Sequence, residues 1–202
     1  MSDGYLIPTQ THRVMTAVSN SRFVTTIGHA STVDQAKAFL VGVRSEMSDA
    51  NHHVYAYRVG FGNSVIEGMS DDGEPSGTSG PPILAVLRGS GVGDVIIVVT
   101  RYFGGTLLGT GGLVRAYGDA ARQGLATLPT ERKIEKQVLG IELPYHYFDQ
   151  VKRLITHHGG TIDDESFAAD VTILASFPVD LVGGFSADLI ELTAGSVQPL
   201  VL

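Results

Sequence analysis

Residues 95–99 read Val-Ile-Ile-Val-Val, five aliphatic side chains in a row, all β-branched and stiff at χ1. A half-exposed strand alternates apolar and polar residues; an unbroken run predicts a strand, Asp94–Thr100, buried on both faces. Such a strand needs a core large enough to cover it twice. With 202 residues, 43% of them hydrophobic, the chain can supply that core, in one generous domain or two small ones.

The composition also excludes. There is no cysteine, so a disulfide framework, a thiolate zinc site, an iron–sulfur cluster and a cysteine nucleophile are all ruled out. No apolar run approaches the roughly 20 residues that span a bilayer. The start, Met1-Ser2-Asp3-Gly4, lacks the basic and apolar regions of a secretory leader. A cytoplasmic protein with no membrane contact is expected. The formal net charge of -7 argues against a general polyanion binder. Nine basic and ten acidic residues precede Thr130, whereas five and eleven follow it. A nucleic-acid contact therefore suits the first part, and the acidic second part suits a protein partner or mere solubility.

The pattern along the chain predicts an α+β protein of two domains, 1–130 and 136–202. Val14, Thr16 and Val18 alternate, Ser19-Asn20-Ser21 offers a turn, and Phe23, Thr25 and Ile27 alternate again, as in a β-hairpin. Thr32 and Gln35 have capping-box spacing before the stripe Ala36, Leu40, Val43 and Met47. His53–Val59 reads as a strand with Tyr55 and Tyr57 opposite Ala56. Gly68–Pro82 reads as a loop, and Ser79 before Pro81-Pro82 as a helix start. A glycine-rich loop, Gly104–Gly112, follows the buried strand. Leu113–Leu128 is the next predicted helix, its stripe Leu113, Tyr117, Ala121 and Leu125. Pro129 and the charged run Glu131–Lys136 read as a linker. Beyond it, strand and helix patterns follow in the order βαββαβ, ending in a strand over Val197–Leu202. That order is the ferredoxin-like arrangement of two helices on an antiparallel sheet.

Two loops carry the chemistry. The first, Ser70–Pro81, holds Asp71, Asp72 and Glu74, three carboxylates that repel unless solvated, paired or metal-bound. Ser76, Gly77 and Thr78 follow, and amides near the helix start suit an anion. The bland reading is a solvated loop whose Asp and Ser residues cap turns. The second loop runs from Arg101 and Tyr102 through Gly104, Gly105, Gly109, Gly111 and Gly112 to Arg115. Gly104 and Gly109 have P-loop spacing, but Thr110 stands where lysine belongs; Val114 stands where a dinucleotide site needs its third glycine. No cofactor and no metal are expected. Two readings stay open: a phosphate or RNA backbone held by Arg101, Arg115 and loop amides, or tight packing with both arginines paired to the first loop's carboxylates.

Of the adjacent His52 and His53, only one can face a given site, because neighbours on a strand point oppositely. Tyr102-Phe103 suits base stacking, although paired aromatics at a strand end are commonly core. His157-His158 reads as the structural end of a helix.

On these loops the chain resembles the IMPACT family. The match is carried by Ser70-Asp71-Asp72-Gly73-Glu74-Pro75-Ser76-Gly77-Thr78-x-Gly80-x-Pro82-Ile83-Leu84. It continues in Val98-Val99-Thr100-Arg101-Tyr102-Phe103-Gly104-Gly105 and in Leu108-Gly109-x-Gly111-Gly112-Leu113-Val114-Arg115-Ala116-Tyr117, with Ser21-Arg22-Phe23 and Ala50-x-His52-x-x-x-Ala56-Tyr57 upstream. Ser79 departs from the usual Ala, and Asn51, His53 and Val54 depart around His52. The resemblance implies an N-terminal α+β sandwich like those of ribosomal proteins and translation factors, and a C-terminal domain like the last domain of elongation factor G. It further implies a translation-associated regulatory or binding protein contacting ribosome, RNA or a protein partner, without DNA specificity and without a settled activity. The alternative is a hydrolase or phosphate-handling enzyme using His52, Asp71, Asp72 and Glu74.

Overall fold

The computed structural model describes residues 4–62 and 65–202; Met1–Asp3, read above as lacking a leader, lie outside the described residues. The chain divides into the units Tyr5–Lys133 and Ile134–Leu202. In the first unit the order is β1 (Tyr5–Pro8), β2 (His12–Val18), β3 (Ser21–His29), α1 (Val33–Glu46), β4 (His52–Val59), β5 (Ile66–Ser70) and α2 (Gly80–Arg88). Then come β6 (Val95–Tyr102), α3 (Gly109–Ala126) and β7 (Thr130–Lys133).

The doubly buried strand is β6, at the centre of a five-stranded antiparallel sheet ordered β2-β3-β6-β4-β5. Its side chains divide by parity. Val95, Ile97 and Val99 join the core beneath α2 and α3, while Ile96 and Val98 join the core beneath α1. The predicted hairpin is β2–β3, turned by Ser19 and Asn20 at φ of 45° and 66°, the mirror-image turn that matches strand twist. The capping pair forms with one bond displaced: Gln35 N–H donates to the N-cap Thr32 Oγ1 at 3.1 Å, while Gln35 Oε1 accepts from the N–H of Ser31, one residue before the cap, at 2.8 Å. The stripe Ala36, Leu40, Val43 and Met47 is buried.

Three segments differ from their reading. Residues 68–70, read as loop, belong to β5, where Gly68 is required because the Tyr57 ring lies 2.3 Å from where a Cβ would stand. Thr130–Lys133, read as linker, is β7 and pairs with β1, placing Tyr5 opposite Lys133. Helix α3 starts at Gly109 rather than Leu113; burial of Leu113 and Tyr117 outweighs the poor helix propensity of the glycines.

The second unit runs β8 (Lys136–Leu143), α4 (Phe148–His157), β9 (Thr161–Phe167), β10 (Val171–Pro178), α5 (Val182–Leu192) and β11 (Leu200–Val201). Its sheet order is β11-β8-β10-β9 with every pairing antiparallel, the ferredoxin-like arrangement expected. Leu139, Ile141, Ile173 and Phe177 face Val151, Ile155, Phe185 and Leu189 of the helices in one core. The last strand is shorter than read, confined to Leu200–Val201. No helix among the described residues is long and apolar enough to cross a membrane.

Candidate functional site

The register of the first sheet lines up a row. On β6, Arg101 is the cross-strand partner of Phe23 on β3 and of His52 on β4, so the three side chains share the face covered by α2 and α3. His53 therefore takes the opposite face, where Nδ1 lies 3.1 Å from Thr100 Oγ1 and burial lowers its pKa. One histidine faces the site, as strand alternation requires.

Into this row the first loop delivers Glu74. Its Oε1 accepts from Arg101 Nη1 at 2.7 Å and from the Tyr117 hydroxyl of α3 at 2.6 Å. Arg101 also donates through Nη2 to Ser21 Oγ at 3.2 Å, and Phe23 and Phe103 flank its guanidinium at 5.6 and 5.4 Å. Burial, then the hydrogen bond to the Glu74 carboxylate, pushes the Tyr117 phenol far above its ordinary value, so it serves as a permanent donor. Glu74 Oε2 lies 3.9 Å from His52 Nε2.

The other two carboxylates do not join them. Asp71 accepts from the N–H groups of Gly77 (2.8 Å), Ser79 (3.0 Å) and Gly80 (2.8 Å) and from the Ser79 hydroxyl (2.7 Å). Burial raises its pKa, but these bonds outweigh it and hold the carboxyl below the usual range. Asp71 thus caps α2, and Ser79, expected to do so, instead donates to Asp71. Gly77 reaches this geometry at φ +80°, open to a residue without Cβ. Asp72 pairs with Arg44 and accepts from His53 N–H at 2.6 Å. Thr78 turns back on Pro75 O at 2.6 Å, and Ser76 is exposed. Among the described residues, no group of three or more His, Asp and Glu side chains is placed to hold a metal ion.

The second loop contributes unevenly. Phe103 N–H donates to Asn51 Oδ1 at 2.8 Å, fixing the loop to β4. Gly104 passes so close to Asn20 that a Cβ would stand 2.0 Å from its carbonyl oxygen, whereas Gly105 faces open space. Tyr102 faces the α1 side, bonded to Asp49 at 3.1 Å beneath Arg22, while Phe103 is exposed toward the site. A cavity of about 410 Å³ lies where the two loops meet, lined by His52, Glu74, Arg101, Phe103, Gly109 and Thr110. Arg115 and Gly111 are not in it. They line a separate hollow of about 780 Å³ with Pro82, Val86 and Arg122. The structure does not bring Arg101 and Arg115, read together in the sequence, into one cavity: Arg101 lines the smaller and Arg115 the larger. Gly112 is half-buried against Leu108.

The residues to which the sequence assigned no role in the site are Ser21, Asn51, Leu107 and Tyr117, whereas Phe103, read there as suited to base stacking, does line the cavity. Tyr117 was legible only as a core aromatic, and its hydroxyl gave no local signal. Leu107 is 87% exposed at the cavity, an exposure that its place among glycines and threonines does not announce.

Residues 19–125 match the Impact N-terminal domain, and residues 141–196 match a domain of unknown function, DUF1949. The chain belongs to the IMPACT family. It is 41% identical to the IMPACT family member YigZ of Escherichia coli over 99% of this chain and 98% of that protein. It is 31% identical to the family member YvyE of Bacillus subtilis over 88% and 82% respectively. A crystal structure described as a hypothetical protein is also 41% identical, with a TM-score of 0.71 over 100% of this chain and 98% of that one. The Impact N-terminal match thus spans both IMPACT motif loops and everything that lines the cavity between them.

Proposed function

We propose that this IMPACT family member is a translation-associated binding protein that contacts RNA on the ribosome through the cleft between its two motif loops. One observation carries the reading: segments about thirty residues apart, the acidic loop and the glycine loop, build a single cavity of about 410 Å³. The three carboxylates are already engaged, Asp71 hydrogen-bonded by amides, Asp72 paired with Arg44 and Glu74 with Arg101, so the cleft repels an anion less than the bare sequence suggests. The test is co-sedimentation of the full chain with ribosomes at low salt, where phosphate contacts are strongest. Wild type is expected to sediment with them and Leu107→Glu to remain in solution. Absence of wild-type association at low salt sinks the reading.

A second reading, a hydrolase or phosphate-handling enzyme, is favoured by His52 Nε2 and Glu74 Oε2 facing one another at 3.9 Å across the cavity. It predicts turnover of a chromogenic phosphodiester that His52→Asn abolishes. Equal background rates for both proteins, with and without added divalent cation, remove it.

A further inference from the structure

The cavity sorts its polar groups by kind. His52 Nδ1 lies 2.8 Å from the Asp72 carbonyl oxygen, which only accepts, so Nδ1 carries the proton. In the neutral ring Nε2 is then an acceptor. Its neighbour is Glu74 Oε2, 3.9 Å away; Oε1 is saturated by Arg101 and Tyr117. Two acceptors that share a void call for a donor between them.

The remaining wall is made of donors. Arg101 is 5% exposed, and among the described residues its Nε–H has no hydrogen-bond partner. A buried, unpaired N–H of a charged side chain is costly unless something else completes it. Beside it in the lining, Gly109 and Thr110 open α3, an 18-residue helix whose first turn receives no side-chain cap among the described residues. Its leading N–H groups and dipole favour an anion. Between the two polar walls stands Phe103, 43% exposed, with the 87% exposed Leu107 at the rim.

A ligand matching this order has a hydroxyl, an anionic group close to it and a flat apolar body. Resting on the reading of the cleft as an RNA contact, we infer that it holds one nucleotide of single-stranded RNA. The phosphate sits on the first turn of α3 and Arg101 Nε–H, the ribose 2′-hydroxyl donates between His52 Nε2 and Glu74 Oε2, and the base lies against Phe103. Stacking on an exposed aromatic holds a single-stranded base, and recognition of the 2′-hydroxyl tells RNA from DNA. A cavity of about 410 Å³ is of the size that small ligands occupy. Selectivity for ribose resides in His52 and Glu74, and affinity in the α3 terminus.

The full chain is titrated at low salt into labelled oligouridylate and into oligodeoxyuridylate of the same length, which differ only at the 2′ position. Wild type is expected to prefer the ribo-oligomer about tenfold, the worth of a hydrogen bond to a charged group. His52→Asn keeps a donor for the Asp72 carbonyl but removes Nε2, so it brings the ribo- and deoxy-oligomer affinities together; a ribose preference retained in this variant overturns the assignment. Thr110→Asp seats a carboxylate at the helix terminus, where the dipole tolerates it, and weakens both oligomers about tenfold with the melting temperature retained. Equal affinity of wild type for the two oligomers, or full affinity in Thr110→Asp, overturns the inference, as does absence of binding to either. The ribosome experiment separates the two claims. A Thr110→Asp protein that sediments like wild type overturns the nucleotide site and leaves the translation-associated reading standing. A wild type that selects ribose yet never sediments with ribosomes supports the site and removes the ribosome.

Discussion

Arg101 Nη1 donates to Glu74 Oε1 across 2.7 Å, with both side chains about 95% buried. Such a pair is weak evidence for stability in itself, but deleting one partner leaves the other charge uncompensated in the interior. Arg101→Met is expected to destabilise the first unit by about 3–5 kcal/mol. Glu74→Gln/Arg101→Met, which retains an acceptor for the Tyr117 hydroxyl, should cost distinctly less. Urea unfolding followed by circular dichroism compares them, and equal costs would show that the charges are not coupled.

Asp71 should make stability depend on acid. Its carboxyl is held below its ordinary value in the folded state because four donors outweigh the burial that raises it. A carboxyl of this kind contributes stability that is complete above the unfolded value of about 3.9 and fades as pH falls through the lower folded value. Asp71→Asn is expected to cost about 1–3 kcal/mol at pH 7. It should also flatten the loss of melting temperature below about pH 4. A variant whose pH profile parallels wild type would place the acid sensitivity elsewhere.

Two neighbouring glycines should resist an added methyl group for different reasons. Gly104→Ala drives a methyl group to within 2.0 Å of the Asn20 carbonyl, whereas Gly105→Ala meets open space but adopts φ +84°. The first is expected to lose about 1–3 kcal/mol through displaced backbone, and to weaken RNA binding with it. The second should lose about 1 kcal/mol. Thermal melts of both variants check the order, and a more stable Gly104→Ala would contradict the close approach.

Asp94 ties the ends of the first unit together. It accepts from the Tyr5 hydroxyl at 2.8 Å, the Gly60 N–H at 2.8 Å and Lys133 Nζ at 2.5 Å. Asp94→Ala is expected to release the β1–β7 pairing, seen as faster amide hydrogen exchange at Tyr5–Ile7 than in wild type. Unchanged protection there would assign the pairing to its backbone bonds alone.

How much could be read in advance depended on whether the deciding contact was local. Leu139-x-Ile141-x-Leu143 and Val171-x-Ile173-x-Ala175-x-Phe177 announce strands because burial imposes a period of two, and the second unit follows from them. Thr130–Lys133 announces nothing: Thr-Glu-Arg-Lys resembles any solvated stretch, and its pairing is set by β1, 125 positions earlier. The acidic loop shows the same limit within four residues. Asp71, Asp72 and Glu74 are chemically alike, yet one caps a helix, one pairs with Arg44 and one meets Arg101. Those roles are assigned by α2 for Asp71, by α1 for Asp72 and by β6 and α3 for Glu74, and sequence spacing does not say which carboxylate goes to which. Strand alternation did separate His52 from His53, because that rule needs no partner.

The pairing of Tyr5 with Lys133 means that the chain enters and leaves the first unit at a single point. A module with adjoining ends is transplantable. Its 5–133 segment could be spliced into a surface loop of an unrelated host, or rejoined end to end and reopened at Ser19-Asn20, with little loop-closure entropy to overcome. The charged strand that looked like a tether is thus a clasp, and it makes the motif-bearing half of the molecule a portable cassette.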